Sequence, residues 1–384
     1  MGSPVRPSWT DRAAGAAPRR GAAGADSLTI LHLTYQGDGA GSTVSIAALA
    51  AAQRAAGHRV LVGCRPESLL AATAQGAGLE VVPLGFDRPA RAARAIARLA
   101  SEAGVQVVNS HGSRDRAACR LARLAGLLPA ACVMTRRQMP RSLPLSVLLN
   151  GFVADRTIAV SRSVARALVR RGAPPWRVSV VPNGVDLSRI DRDVPGAAIE
   201  TARALAGWRP WRPTVGVVAR RKDHEVLLRA LPALERPITL ALVGVAPDPE
   251  LAALAAAAPQ HEVRCVPFRP DVLPFYRLLD VAVLPSRREG LSQALLEAMA
   301  LGIPVVASRA GGNADLVAHG EDGWLVAPRD SLGFARALSL LLGDPALRRR
   351  LGRRARQTAR IRFSLARTAA ATEAAYRFAL AQRR

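Results

Sequence analysis

Two kinds of hydrophobic run alternate along this chain. Short, nearly unbroken apolar runs stand at LTILHLTY (28–35), HRVLVGC (58–64), LEVVPLG (79–85) and VQVVNSHG (105–112). Between them lie longer stretches, such as STVSIAALAAAQRAAGH and RPARAARAIARLASEAG, whose apolar residues recur every three to four positions. The first kind reads as strands buried on both faces, the second as amphipathic helices packed on them. The pattern continues through ACVMTRR, LPLSVLLNGFVA, RTIAVS, SRSVARALVRRGA and RVSVVPNGVD. Such alternation predicts a parallel sheet with helices on both faces.

PNGVDLSRIDRDVPG (182–196) reads as a turn followed by a linker. A second series then begins at RPTVGVVAR (212–220) and runs through ITLALVG, HEVRCVPF, DVAVLPS, IPVVAS and GWLVAP. From about residue 331 the chain is helical and rich in arginine. The expected fold is α/β: two tandem doubly wound Rossmann-like domains facing across a cleft. The expected boundaries are a disordered leader at 1–26, a first domain at 27–190, a linker at 191–211, a second domain at 212–361 and a terminal helix at 362–384. Ligands of such sheets bind at the carboxyl ends of the strands, so the cleft is the default site.

Composition narrows the choice of partners. Hydrophobic residues make up 49% of the 384 positions but aromatic ones only 4%, so the cores must be built from Ala, Leu and Val. The 54 basic and 29 acidic residues leave a net charge of +25, and Lys222 is the single lysine. That excess suits nucleic acid, an anionic membrane surface or an anionic substrate, or else solvated faces of an arginine-biased chain. A nucleic-acid partner is disfavoured, because aromatic interleaving and any familiar binding module are missing. The four scattered cysteines contain no C-x-x-C, which fits a reducing cytosol and no zinc or disulfide framework. No stretch reaches the roughly 18–20 apolar residues of a membrane span. The expected location is cytoplasmic, with a peripheral position on the inner membrane open to it.

Several short patterns carry possible chemistry. GDGAGS begins like a dinucleotide fingerprint at Gly37 and Gly39, but the third position is Ser42 and no acid ends the next strand. A nicotinamide or flavin site is therefore not expected. The loop still leads into a helix start that attracts an anion, and Gly41 lets a ligand come close to the backbone. DRD (191–193) lies in the linker and reads as solvated charge rather than a metal motif. His111 ends a buried strand, where it serves either structure or function. Arg220 and Lys222 also follow a strand end, as cations for a diphosphate or as an ordinary basic loop.

The richest stretch is RREGLSQALLEAMALGIPVVAS (287–308). Glu289 precedes a helix and Glu297 lies about two turns inside it, which sets the carboxylates on the order of 10 Å apart. Between them lie the free amides of Gly290, Leu291 and Ser292 at the positive end of the helix dipole. That arrangement suits a nucleotide sugar: sugar hydroxyls on Glu289, diphosphate at the helix start, ribose on Glu297. The plainer alternative is a helix-start acid and a solvated helix residue.

The segment E-G-L-S-Q-A-L-L-E-A-M-A-L-G-I-P resembles the E-x7-E segment of retaining glycosyltransferases of family 4, which have the GT-B fold. A-G-S-T at 40–43, N-S-H-G, V-P-N-G-V-D, R-R-K-D-H-E-V-L-L and D-V-A-V-L-P-S resemble other family motifs in the same order. The resemblance implies transfer of a sugar from a nucleotide-sugar donor with retention, without metal or cofactor. It implies that Glu289 holds donor-sugar hydroxyls, Glu297 the ribose, and Arg220 with Lys222 the departing diphosphate. It further implies that His111 contacts the sugar at the reacting centre, that Gly41 approaches the diphosphate or acceptor, and that the terminal helix crosses back to the first domain. The departures are Ala40 and Thr43 in the first loop, and Asp223 where the family has glycine. Asp223 puts a negative charge beside the expected diphosphate unless its side chain turns away or caps the next helix.

Within the family, VVNSHGSRDRAACRLARL and MTRRQMP most resemble enzymes of lipopolysaccharide and surface-polysaccharide assembly. That implies a glycan or lipid-linked acceptor, with basic helices at 88–104, 114–125 and 161–171 resting on anionic lipid. The alternatives are an epimerase-like or phosphorylase enzyme of similar fold and a non-catalytic sugar-binding relative. The ordered motifs disfavour the first, and the joint presence of Glu289, Glu297, Arg220, Lys222 and His111 disfavours the second.

Overall fold

The computed structural model describes residues 27–37, 41–141 and 143–383. The leader expected at 1–26, and Gly39 and Ala40, lie outside the described residues. The first sheet holds β1 (Thr29–Thr34), β2 (Arg59–Cys64), β3 (Glu80–Pro83), β4 (Val107–Ser110), β5 (Ala131–Arg136), β6 (Arg156–Ala159) and β7 (Val178–Val180). Its order is β3-β2-β1-β4-β5-β6-β7. The second holds β8 (Thr214–Val218), β9 (Thr239–Val243), β10 (Glu262–Val266), β11 (Val281–Leu284), β12 (Val305–Ser308) and β13 (Trp324–Val326), in the order β10-β9-β8-β11-β12-β13.

Every strand pairing is parallel; β1, for example, runs in step with β2 from Thr29↔Arg59 to Thr34↔Cys64. Helices cover both faces of such sheets, so the strands are apolar throughout; in β1 every residue from Ile30 to Thr34 is buried. In each sheet the strand order reverses beside the founding strand, between β1 and β4 and between β8 and β11. A crevice opens at such a reversal, at the carboxyl ends of the strands. His111 follows β4, Arg220 and Lys222 follow β8, and Glu289 follows β11.

The stretch expected as a linker, 191–211, contains a helix at Gly196–Ala206. Its Ala202 and Ala206, four residues apart on one face, pack with Ala241, Val243 and Phe275 of the second domain. Gly207, in the left-handed region at φ 65°, ends it.

The helix Pro345–Arg362 stops at Phe363, and a last helix runs from Leu365 to Ala381. The crossing between them is stitched to the end of the first domain: the Val185 amide donates to Phe363 O and the Leu365 amide to Val185 O. A Cβ on Gly184 would lie 2.6 Å from Leu365 Cα, so only glycine fits there. The last helix packs against the helix Gly41–Ala55 and against β5 and β6. Its Tyr376 is wholly buried, with its hydroxyl accepting from Asn109 Nδ2 at 2.6 Å. No helix among the described residues is long and apolar enough to cross a membrane.

Candidate active site

The loop after β11 carries the first of the two glutamates into the seam between the domains. The helix Gln293–Ala300 begins at Ser292, whose hydroxyl accepts from the Leu295 amide. Ahead of it, Glu289 is 6% exposed. Two glycines clamp its backbone: a Cβ on Gly311 would lie 2.0 Å from Glu289 O, and one on Gly312 would lie 1.7 Å from Gly290 O. The Gly312 amide donates to Glu289 O at 3.0 Å. The carboxylate itself accepts from Lys222 Nζ at 2.7 Å.

Lys222 points there because its neighbours are tied elsewhere. Arg221 is drawn outward to Asp248 at 2.7 Å and to Glu225 and Glu250. The Lys222 amide donates to the buried His224 Nδ1 at 3.0 Å. Asp223 sits in the left-handed region at φ 53°, which accounts for the glycine usual in the resembled motif. Its side chain makes no helix cap. It accepts instead from the Arg287 amide at 2.9 Å and pairs with Arg287 Nε at 2.6 Å. The negative charge expected beside the diphosphate position is thus turned away and paired. Arg220 is exposed and makes no ion pair among the described residues.

Glu297 lies five residues beyond Ser292, about one and a half turns into the helix rather than two. It is 5% exposed. Arg189, from the short helix Leu187–Asp191, donates Nη1 to its Oε1 at 2.7 Å. Burial raises the Glu297 carboxyl above the usual carboxylate range, while Arg189 pulls it down. The acid expected to face a ribose is therefore oriented by an arginine.

His111 is held in a buried chain of side chains. His32 Nε2 meets Gln53 Oε1 at 2.7 Å, His32 Nδ1 meets His111 Nε2 at 2.9 Å, and Arg137 Nε donates to His111 Nδ1 at 3.3 Å. Gln53 Oε1 can only accept, so the protons are assigned to Nε2 of both rings. Burial lowers His32 to about 4. Burial, and then the Arg137 charge, hold His111 well below the usual histidine range. Both rings are neutral at pH 7. The turn after β4 is fixed by Asp115, whose Oδ2 accepts from the amides of His111 and Gly112 at 2.7 Å each. The His111 ring, expected at the reacting centre, is 6% exposed and packed between His32 and Arg137.

The domains meet closely around these groups. A Cβ on Gly290 would lie 2.0 Å from Arg137 O. Asn183 Nδ2 donates to Leu291 O at 3.3 Å, and Gln293 Nε2 donates to Gly184 O at 3.3 Å. A Cβ on Gly41 would lie 3.1 Å from Gln293 Cβ. Ser163 donates to Gly311 O and to Asp315 Oδ2, each at 2.9 Å.

Gly41, His111, Lys222, Glu289 and Gly290–Ser292 thus come together at one seam. Sequence reasoning passed over His32, Gln53, Arg137, Asn183 and Arg189. The signals for them were slight: a lone histidine inside an apolar strand, the second arginine of TRR, and residues of VPNGVDLSR read as turn and linker.

Among the described residues, no three His, Cys, Asp or Glu side chains gather as metal ligands. Asp191 of the DRD stretch pairs with Arg360 at 2.9 Å. A cavity of about 530 Å³ lies away from the seam, between Asp322, Arg350, Arg354 and Thr358. It is open to solvent and mixes both charge signs, so the tighter seam is the better candidate.

The family model described as "Glycosyltransferase Family 4" matches residues 39–189, and "Glycosyl transferases group 1" matches residues 212–344. Each domain is thus similar to a glycosyltransferase family, and the fold is that of the GT-B glycosyltransferases. It is similar to D-inositol 3-phosphate glycosyltransferase 2 of Catenulispora acidiphila, at 37% identity over 246 residues, covering 58% of this chain and 56% of that one. The match spans about half the length of such curated relatives. In fold it is similar to Anabaena HepE in complex with UDP-glucose (TM-score 0.78, 21% identity, 90% of this chain and 98% of that one). It is likewise similar to a glycosyltransferase of Rickettsia africae (TM-score 0.79, 18% identity, 93% and 99%). These curated relatives carry inositol-phosphate names, where the local motifs led to the expectation of lipopolysaccharide enzymes.

Proposed function

We propose that this protein transfers a sugar from a nucleotide-sugar donor to an acceptor hydroxyl, with retention of configuration and without a metal ion. The observation that carries the reading is the Lys222–Glu289 pair at the start of the helix Gln293–Ala300. A carboxylate for sugar hydroxyls, a cation for the diphosphate and free helix-start amides stand within one loop cluster. As the bond from the anomeric carbon to the diphosphate oxygen breaks, Lys222, Arg220 and the amides of Gly290–Ser292 take up the charge that develops. The bond from the anomeric carbon to the acceptor oxygen forms, and the hydroxyl proton leaves with the diphosphate or to water. His111 is a poor proton acceptor at neutral pH, being neutral with both ring nitrogens engaged, so its part is to shape the pocket wall.

The acceptor is a glycan, a glycolipid or a phosphorylated polyol. Inositol 3-phosphate appears in the names of relatives matched over half their length, and surface-glycan acceptors come from the sequence motifs. For a lipid-linked acceptor, a membrane surface suits the first domain. The helix Pro144–Val153 bares Leu145, Leu149 and Phe152 on one stripe, beside exposed Leu121, Leu124 and Trp176. Between residues 116 and 185 the chain has twelve arginines and one acid, Asp155. An apolar stripe among arginines suits an anionic bilayer better than the basic helices alone. Flotation on anionic vesicles, lost in Leu145→Ser/Phe152→Ser, tests that part.

The activity itself is tested by incubating the protein with UDP-, GDP- and ADP-sugars and an acceptor panel in the presence of EDTA. Product with the donor's anomeric configuration supports the reading. An inverted product, or activity abolished by EDTA, overturns the retaining or the metal-free part.

A further inference from the structure

The seam contains a guanidinium that no carboxylate balances among the described residues. Arg137 follows β5 and turns its side chain inward. Its Nε donates to His111 Nδ1 at 3.3 Å, and its Nη1 donates to Ser45 Oγ at 2.7 Å and to Asn183 Oδ1 at 2.8 Å. All three acceptors are neutral. Its Nη2 makes no hydrogen bond among the described residues. Four neighbouring cations have carboxylates: Lys222 has Glu289, Arg189 has Glu297, Arg287 has Asp223 and Arg116 adjoins Asp115, whereas the exposed Arg220 and the buried Arg136 pair with none among the described residues. Among the described residues no carboxylate pairs with Arg137, and burial pulls the guanidinium down to about 10.

A half-buried guanidinium without a counter-charge is unfavourable. Such a charge is found where a ligand brings the missing anion. The position agrees. Arg137 O lies against Gly290, and Asn183, which Arg137 holds, donates to Leu291 O. The guanidinium is thus one residue away from the loop that carries Glu289. It approaches from the opposite domain, beside His111. The cations proposed for the donor diphosphate, Arg220 and Lys222, are both on the second domain. An anion at Arg137 therefore enters from the acceptor side.

We propose that Arg137, with Ser45 and Asn183, binds a phosphate group carried by the acceptor, and that this selects a phosphorylated acceptor over its neutral analogue. The inference rests on the transfer reaction proposed above. Two kinds of molecule share the chemistry, a soluble phosphorylated polyol and a phosphate on a lipid-linked sugar.

The first measurement needs no variant. Orthophosphate should inhibit transfer competitively against the acceptor and not against the donor; competition against the donor alone overturns the inference. The second uses Arg137→Gln. The charged hydrogen bonds it removes should raise KM for a phosphorylated acceptor by about 10- to 150-fold, with UDP affinity in a binary titration changed less than twofold. Arg137→Lys should recover part of the loss. A variant that weakens UDP binding assigns Arg137 to the donor and overturns the inference, as does one that discriminates phosphorylated from phosphate-free acceptor as well as the wild type.

Asp38→Asn is the companion control, because that acid lies outside the described residues. Unchanged orthophosphate inhibition is expected, and tighter inhibition would make Asp38 the counter-charge. Inositol 3-phosphate and a short-chain polyprenyl-linked sugar phosphate, run in parallel, separate the two sources. Failure of the transfer reading shows as absence of nucleotide-sugar binding, a result that orthophosphate protection of the wild type but not of Arg137→Gln in thermal melting would leave independent of the Arg137 site.

Discussion

Replacing Arg189 by methionine isolates what one buried ion pair does for this fold. Glu297 is nearly inaccessible, and Arg189 is its one ion-pair partner among the described residues, at 2.7 Å. Deleting the cation leaves a carboxylate with no counter-charge, a change that costs about 3–5 kcal/mol in comparable buried pairs. The Arg189 side chain is 28% exposed, so water reaches part of the site and the lower end, about 3 kcal/mol, is expected at pH 7.5. For a domain of this size that is a fall in Tm of about 6–12 °C.

The pH dependence sharpens the test. Burial already raises the Glu297 carboxyl above its ordinary value of 4.5, so the folded state holds this proton more tightly than the unfolded chain. Such a group favours folding most below pH 4.5, and that contribution is lost as pH rises through the folded value. Removing Arg189 raises the folded value further. The deficit of Arg189→Met relative to wild type should therefore be small near pH 4.5 and grow toward pH 7.5. Urea denaturation of wild type, Arg189→Met and Arg189→Met/Glu297→Leu at several pH values reads this directly. The double variant should recover most of the loss, because an apolar pair needs no counter-charge. A deficit independent of pH, or a double variant no better than the single one, would refute the reasoning.

Lys222→Ala should lower kcat by about 10²–10³ if the lysine stabilises the departing diphosphate, read in steady-state transfer with the best donor. Gly290→Ala places a Cβ 2.0 Å from Arg137 O, so the domains must separate; kcat/KM should fall and small-angle scattering should show a wider molecule. The kcat/KM profile should show no inflection between pH 6 and 8 that His111→Asn removes, since burial keeps His111 and His32 neutral across that range. Tyr376→Phe leaves the Asn109 amide without its 2.6 Å acceptor and should cost about 1–3 kcal/mol in urea denaturation.

Much of the fold was legible in the order of residues, for a local reason. Strands buried on both faces are apolar along their whole length and helices are apolar on one, and both patterns can be read without partners. The thirteen strands among the described residues fall in the runs VVNS, TVGVV, VAVL and their counterparts, and the helix start at Ser292 follows from a side-chain cap. The stretch 191–211 was misread because its helix is stabilised by alanine packing on β9, a surface the sequence does not display.

The site divides the same way. Glu289, Glu297, Lys222 and His111 could be picked out because each stands at a strand end or helix start, where chemistry is expected. Their partners could not. Arg189 is 108 residues from Glu297, Arg137 is 26 from His111 and 46 from Asn183, and His32 is 79 from His111. Hydrogen bonds and ion pairs act over a few ångströms in space whatever the distance along the chain. The sequence by itself determined the elements, their alternation into two sheets and the residue types at the strand ends. Only the tertiary structure decided which charge meets which: that Lys222 faces Glu289, that Asp223 turns to Arg287, and that Arg137, where the two domains touch, meets no carboxylate among the described residues.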